Sequence, residues 1–310
     1  NIFDIFASYN RSIRSFHLAE GPGGFIEAIQ LLRLNNEDTY YGMTLINRDN
    51  TNVPGWKKSE NFLAKHPNVV IESGADGTGN LYNPENFNYC VENYGNSMDI
   101  VTGDGGFDFS IDFNKQEELA FRLILSQVAY AIGLQRYGGT FILKVFDTFM
   151  KPSIDILYIL AAFYKNVHII KPQTSRYANS EKYIVCVGFK YHNTSVIAQK
   201  LHSIISVLNN MNLKNVSIST ILDIPINQRF ISQLININAI LGQQQMENIL
   251  TTLRFIENKE RKGEKLKQLT TKNIQKCITW CTKNEVPHHK TYNSGNIFLG
   301  ASAKKNCYRK

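Results

Sequence analysis

The chain has 310 residues, and 43% of them are hydrophobic, which is ample for a packed core larger than that of one small domain. The formal net charge is +8, and residues 251–310 hold 14 Lys/Arg against 4 Asp/Glu. This concentration of positive charge suits a polyanion such as RNA, with a solvated helix surface as the equal alternative. The longest apolar stretch, Ile156–Phe163, is too short to cross a bilayer, so we expect no membrane span.

The cysteines are odd in number and scattered, at positions 90, 186, 277, 281 and 307. This pattern does not suit a disulfide framework and favours a reducing compartment, with the cytoplasm as the expected location. Because the sequence begins with Asn1 and not with methionine, we expect a fragment or a processed product.

Apolar runs of strand length alternate with helical patterns up to residue 190, which predicts a parallel α/β sheet with helices on both faces. Seven strands are predicted, at Phe16–Leu18, Tyr41–Leu45, Val69–Ile71, Asp99–Val101, Thr140–Val145, Val167–Ile170 and Tyr183–Val187. Helices are predicted at Gly24–Leu34, Gln116–Gln135 and Ser153–Phe163. The break at Lys171-Pro172 favours an antiparallel hairpin of the last two strands at the sheet edge.

After Lys190 the sequence is rich in Asn and Gln and has amphipathic stretches such as Val196–Leu208, Gln228–Leu241 and Met246–Ile256. These stretches predict a mostly helical, basic second unit. We therefore divide the chain into domains at residues 1–190 and 191–310.

A glycine-rich turn, Gly21-Pro22-Gly23-Gly24, lies between the first predicted strand and the first predicted helix. Glycines let the backbone approach a ligand closely, and a helix N-terminus presents unpaired N–H groups. The spacing fits neither the dinucleotide-binding pattern nor the P-loop, which leaves another nucleotide-type cofactor or a purely structural turn.

Three charged residues accompany later strands, namely Asp104 after Ile100-Val101, Lys144 after an apolar run, and Glu181 before the last strand. Each alone has an ordinary explanation, as a turn, a lysine that points to water, or a solvated hairpin residue. In open parallel sheets, however, ligands bind beyond the carboxyl ends of the strands. The three residues together therefore predict an Asp-Lys-Glu reaction centre at one rim.

These residues together resemble the FtsJ/RrmJ-type ribose 2′-O-methyltransferases, and most closely their mRNA-cap-specific branch. The resemblance extends from about Phe16 to Lys190, in the motifs Ala19–Phe25, Gly42–Leu45, Gly79-Asn80 with Pro84–Asn86, Asp104–Phe107, Gly138–Asp147 and Lys171–Cys186. It implies a Rossmann-like class I methyltransferase sheet, S-adenosylmethionine as cofactor, and capped mRNA as the RNA partner, with other capping or transcription proteins as further partners. The Asn/Lys/Ile-rich composition suggests a large cytoplasmic DNA virus of the asfarvirus type as the source.

The resemblance also implies roles for individual residues. The family uses a Lys-Asp-Lys-Glu tetrad, whose last three members match Asp104, Lys144 and Glu181, with Lys144 as the general base. No lysine precedes Lys57, so we expect the first tetrad lysine upstream of Asn1, with true loss of that group as the alternative, and feeble or no activity for the chain without it.

The same resemblance assigns the methionine part of the cofactor to Glu20, Gly21, Pro22, Gly23, Gly24 and Phe25 together with Asp104. Thr44 and Leu45 are expected to line the adenosine, Asn80 to contact the adenine, and Asp49 to serve the ribose. Because His17 occupies the position of the family's loop-opening acid, Glu20 becomes the expected partner of the cofactor's amine.

RNA contacts are predicted at Ser175, Arg176, Asn179 and Ser180, whose polar groups suit phosphate and ribose oxygens. Phe107 and Phe109 are candidates for base stacking, although a core position is the stronger expectation. Cys277 and Cys281 with His288, His289 and Cys307 are too irregular for a zinc site, so no metal is predicted. Ribosomal or transfer RNA methylation, and a catalytically silent RNA-binding scaffold, remain alternative functions.

Overall fold

The computed structural model describes residues 5–6, 9–47, 53, 55–56, 59–106, 113–211, 217–257, 263–286 and 288. The strands in these ranges are β1 (Arg14–Leu18), β2 (Thr39–Met43), β3 (Val69–Glu72), β4 (Met98–Gly103), β5 (Gln135–Val145), β6 (Tyr164–Ile170) and β7 (Lys182–Phe189). The helices are α1 (Gly24–Arg33), α2 (Glu60–Lys65), α3 (Pro84–Tyr94), α4 (Gln116–Leu134), α5 (Lys151–Phe163), α6 (Ser195–Asn210), α7 (Gln228–Glu257) and α8 (Gly263–Lys283).

The strands form one seven-stranded sheet in the order β3-β2-β1-β4-β5-β7-β6. Neighbouring strands from β3 to β5 are parallel, whereas β7 is antiparallel to both β5 and β6. The predicted Rossmann-like α/β sheet and the antiparallel strand pair at its edge are thereby confirmed. The chain order reverses between β1 and β4, which is where ligands bind in open sheets of this kind.

Apolar side chains on successive strand residues lie on opposite faces of the sheet and enter different cores. On β2, Tyr40 belongs to a small core with Ile26 and Ile29 of α1, whereas Tyr41 packs against a larger core. The larger core includes most of the buried face of α4. Both faces of the sheet are therefore covered, as continuous apolar strands require.

Two helices, α2 and α3, are absent from the sequence-based prediction. The start of α3 carries a recognisable signal, because Pro84 is its first residue and the Asn83 side chain accepts a hydrogen bond from the Glu85 N–H. The strand β5 is longer than predicted, since it begins directly where α4 ends at Leu134.

The chain divides into two compact units, one of Asp4–Asn248 and one that includes Ile249–Lys310. The first unit extends beyond residue 190, where the sequence analysis divided the chain, because α6 and the first part of α7 cover the sheet's larger core. Four of their side chains are buried in it, Ala198, Ile205, Leu208 and Leu234. Within the described ranges, no helix is long and apolar enough to span a membrane.

Candidate active site

The glycine-rich turn joins β1 to α1 at the carboxyl rim of the sheet. Gly23, the N-cap of α1, has φ of 105°, a value that glycine adopts without strain. A Cβ atom on Gly21 would lie 2.5 Å from the backbone oxygen of Gly55, so a larger residue does not fit there. The hydroxyl of Ser59 donates a hydrogen bond to the Pro22 carbonyl. These contacts fix the turn and hold the first N–H groups of α1 at the rim.

Glu20 replaces the side-chain cap that Gly23 cannot provide. Its Oε1 accepts hydrogen bonds from the backbone N–H groups of Phe25 (2.6 Å) and Ile26 (3.2 Å). The residue is only 3% exposed, and its Oε2 atom is buried without a hydrogen-bond partner. Burial raises the pKa of Glu20 to about 8, against the two backbone hydrogen bonds, which lower it.

The segment after β2 and the loop after β3 are packed directly together. The Ile46 N–H donates to the Thr78 carbonyl at 2.7 Å, and a Cβ on Gly79 would lie 2.0 Å from the Thr44 carbonyl. This close contact brings Asn80, which is predicted to contact the adenine, to the same part of the rim as Thr44. Thr44 is buried, whereas Leu45 is 44% exposed. Asp49 lies outside the described residues.

Asp104 and Lys144 form an ion pair beside the glycine turn, with Nζ and Oδ1 3.1 Å apart. The Asp104 N–H donates to the Leu18 carbonyl at 3.1 Å, which ties the end of β4 to the end of β1. Lys144 faces the opposite side of β5 from the buried residues Leu143 and Val145. Its side chain is 15% exposed, so the ammonium group is largely shielded from water.

Glu181 and Tyr183 complete this cluster from the β7 side. Tyr183 lies directly opposite Lys144 in the β5–β7 ladder, so these two side chains share a face. Glu181, one residue before β7 begins, acts electrostatically on both Asp104 and Tyr183. Burial and the neighbouring carboxylates of Asp104, Glu181 and Glu20 raise the pKa of Tyr183. The structure thus brings the three predicted catalytic residues together, and Tyr183 is an addition that its strand alternation with Glu181 could have revealed.

The electrostatics of the centre oppose full ionisation. Burial raises the pKa of Asp104, and Glu181 raises it further, while the paired Lys144 lowers it. A partly shielded cluster of carboxylates with one amine will therefore favour a ligand that brings positive charge.

The loop from Lys171 to Glu181 is held by its own side chains. Lys171 Nζ donates to the Asn179 carbonyl (3.0 Å), to Asn179 Oδ1 (2.5 Å) and to the Glu181 carbonyl (2.6 Å). Ser175 donates to Glu181 Oε1 at 2.8 Å, and the buried Ser180 donates to Gln116 Oε1 at 2.7 Å.

Three of the four residues predicted for RNA contacts, Ser175, Asn179 and Ser180, therefore have side chains engaged in shaping this loop. The fourth, Arg176, is exposed. No role for Lys171 is predicted from the sequence, although the Pro172 that follows it indicates a loop.

His17 is fully buried on β1, with hydrogen bonds of 2.8 Å to the hydroxyls of Ser15 and Thr102. Burial lowers its pKa to about 3, so it is neutral and serves the core. Cys277 and Cys281 lie on α8, and among the described residues no group of His, Cys, Asp or Glu could hold a metal ion. His289, Cys307, Phe107 and Phe109 lie outside the described residues.

A model of the family described as FtsJ-like methyltransferase matches residues 1–189, more than half of the chain. The chain belongs to the FtsJ-like methyltransferase family. This family uses S-adenosylmethionine. The FtsJ-like region includes all seven strands and every residue of the cluster described above.

Two relatives of the FtsJ-like region carry the description cap-specific mRNA (nucleoside-2′-O-)-methyltransferase 1. The Mus musculus protein is 36% identical over 179 residues, which are 55% of this chain and 20% of that protein. The Trypanosoma cruzi (strain CL Brener) protein is 37% identical over 182 residues, which are 54% of this chain and 46% of that protein. The chain thus matches less than half the length of either relative.

A solved structure, a putative ribosomal RNA methyltransferase from Plasmodium falciparum, aligns with 61% of this chain and 93% of its own length. Its identity is 18% and its TM-score is 0.42, so the assignment rests on the family match and not on this similarity.

Proposed function

We propose that the protein transfers a methyl group from S-adenosylmethionine to the ribose 2′-hydroxyl of a cap-proximal nucleotide of mRNA. The observation that carries the proposal is the Asp104–Lys144 pair at the rim, beside Glu181 and the glycine turn. An amine and carboxylates next to a cofactor turn suit the alignment and deprotonation of a hydroxyl.

The residues at the rim fit this donor. The orphaned Oε2 atom of Glu20 and the carboxyl of Asp104 suit the ammonium group of the methionine part. The glycine turn supplies a close backbone approach at the start of α1, with Phe25 beside it. Thr44, Leu45 and Asn80 would hold the adenosine.

When bound, S-adenosylmethionine supplies a methyl group whose bond to sulfur breaks as its carbon bonds the 2′-oxygen, with the electron pair left on sulfur. Lys144 accepts the hydroxyl proton in this proposal, and for this it must be a neutral amine. Asp104 positions the Lys144 amine through their 3.1 Å contact. Glu181 would hold the acceptor ribose at the same face.

Capped mRNA as the substrate is supported by the relatives, which are described as cap-specific mRNA methyltransferases. Other capping or transcription proteins as partners belong to the same proposal on the resemblance. A viral source is proposed on the Asn/Lys/Ile-rich composition, and a cytoplasmic site of action on the scattered cysteines. Arg176 is exposed in the loop before β7, and its guanidinium group suits RNA phosphates.

The test is transfer of tritiated methyl groups to matched short RNAs: one capped, one with a 5′-triphosphate, and two capped with a 2′-deoxyribose at the first or the second nucleotide. The proposal expects label on the capped RNA and loss of label with one of the 2′-deoxy substitutions.

Equal labelling of the uncapped RNA, or preferred labelling of transfer or ribosomal RNA, would replace the cap proposal by the alternative RNA substrates. A folded chain that binds neither S-adenosylmethionine nor its product in calorimetry would support the silent scaffold instead.

A further inference from the structure

The loop that joins β5 to α5, residues 146–150, lies at the carboxyl rim of the sheet and is held by buried polar side chains. Lys182 of β7 donates from Nζ to the Phe146 carbonyl at 3.0 Å. Glu117 of α4 accepts from the Met150 N–H at 2.8 Å, at the start of α5. Both side chains belong to the FtsJ-like region. The two ends of the loop are therefore fixed from within that region.

The middle of the loop is held from α7, which lies outside the FtsJ-like region. Asn238 of α7 donates from Nδ2 to the Thr148 carbonyl at 3.0 Å, and the Thr148 hydroxyl donates to Asn238 Oδ1 at 2.9 Å. Thr148 is buried, so the loss of Asn238 would leave two polar groups without this partner in the protein interior. One amide side chain thus fixes both the backbone and the side chain of this loop residue.

The first residue of the loop borders the amine of Lys144. A Cβ atom on Gly106 would lie 3.3 Å from Lys144 Nζ and 3.8 Å from the Phe146 ring atom Cζ, so the amine and the ring flank the same glycine after β4. A shift of the loop would therefore move one wall of the space around Nζ. Such shifts matter in catalysis, because a misplacement of about 1 Å can cost about 10²-fold in rate.

The same helix also borders the loop before β7. Gln244 of α7 lines a cavity together with Asn179 and Ser180 of that loop. Asn238 and Gln244 are separated by about 9 Å along the helix axis, at a rise of 1.5 Å per residue. One straight segment of α7 therefore contacts both loops that flank the reaction centre.

We propose, resting on the RNA methyl transfer proposed above, that Asn238 is a positioning residue of the reaction. Through its hydrogen bonds to Thr148, it holds the loop after β5 where the Lys144 amine is aligned with the acceptor ribose. A helix outside the FtsJ-like region would then contribute to catalysis and not only cover the core. Because the cofactor turn joins β1 to α1, at another part of the rim, this role concerns methyl transfer and not binding of the donor.

The experiment is single-turnover methyl transfer by the full chain to whichever RNA of the test above it labels best. Calorimetry with S-adenosylhomocysteine, the demethylated product of the donor, first counts the sites that bind cofactor. The rate per binding site then excludes molecules that have failed to fold. For Asn238→Ala, we expect this rate to fall at least about tenfold, because alignment is lost, while the affinity for S-adenosylhomocysteine stays within about twofold of the wild type.

Variants of Thr148 test whether Asn238 acts through it. Thr148→Val removes the hydroxyl group and should lower the rate per binding site, whereas Thr148→Ser keeps the hydroxyl and should stay close to the wild type. The double variant of Asn238→Ala and Thr148→Val should be no slower than Asn238→Ala alone, because both changes break the same contact. Asn236→Ala, at an exposed position of the same helix, is the matched control and should behave as the wild type.

A wild-type rate per binding site for Asn238→Ala would show that α7 only stabilises the fold, which overturns this inference and leaves the proposed function intact. Rate losses that multiply in the double variant would overturn it too, because the two residues would then act separately. No transfer by the folded wild-type chain to any of the RNAs would overturn the proposed function and this inference together. Should Asn238→Ala not fold, Thr148→Val and Thr148→Ser decide the matter, and equal rates for these two would refute the inference.

Discussion

Replacing Lys144 by arginine distinguishes a role of Lys144 as general base from a role as a fixed positive charge. Arginine keeps a cation opposite Asp104, which lies 3.1 Å from the lysine nitrogen, but a guanidinium group cannot give up its proton in a protein. If Lys144 takes the proton of the ribose hydroxyl, Lys144→Arg must fail as completely as Lys144→Ala.

The expected loss of rate follows from the contribution that a general base makes to catalysis. General-base catalysis contributes about 10²–10⁴-fold, which corresponds to about 3 to 5 kcal/mol of activation free energy. The loss of stability should be small, because the Asp104 side chain is 36% exposed and such pairs contribute at most about 1 kcal/mol. Rate and stability therefore respond very differently to the same substitution.

The assay is single-turnover methyl transfer to capped RNA, with thermal denaturation and calorimetry of S-adenosylhomocysteine as controls for folding and cofactor binding. Lys151→Arg is the matched control, because the exposed Lys151 of α5 also pairs with an aspartate, the buried Asp155. If Lys144→Arg retains more than a tenth of the wild-type rate while Lys144→Ala is inactive, the role of Lys144 as general base is refuted. The reaction would then need only its positive charge.

Two further predictions concern stability. The buried His17 has a pKa of about 3, against about 6.5 in an unfolded chain. As the pH falls, the unfolded state therefore binds a proton that the folded state does not. The free energy of unfolding should fall between about pH 6.5 and 3, by up to about 1.4 kcal/mol per pH unit. Thermal denaturation of His17→Gln over this range should lack that part of the slope, and an unchanged slope would contradict the argument. A chain that ends at residue 190 loses Ile205, Leu208 and Leu234, each worth about 1.5–3 kcal/mol when buried, and should not fold, unlike one that ends at residue 248. A cooperative melting transition of the shorter chain, followed by circular dichroism, would show that α6 and α7 are dispensable.

Much of the sheet could be predicted because its strands are short apolar runs bounded by turns, and their order along the chain fixed which ends share a rim. This order along the chain places Asp104 and Lys144 at the same rim, although they are 40 residues apart in the sequence. Helix α2 escaped prediction because its six residues are too few for a clear period and none of them is buried.

The finer chemistry of the site could not be predicted from residue types. Ser180 looked like an RNA ligand, yet it is buried against Gln116, a contact between segments 64 residues apart. Glu20 looked like a simple amine partner, but its role as the cap of α1 depends on where the turn places the carboxyl group. Such assignments need three-dimensional neighbours, which composition and spacing do not encode.

The place of β7 in the sheet affects how the chain folds during its synthesis. The last strand of the sheet to leave the ribosome is inserted between β5 and β6, so both of these strands carry open edges until residue 189 has emerged. Glu181 and Tyr183 arrive with that strand. A nascent chain therefore cannot acquire its reaction centre early, and the interval before β7 pairs is when exposed strand edges make the chain most vulnerable to aggregation.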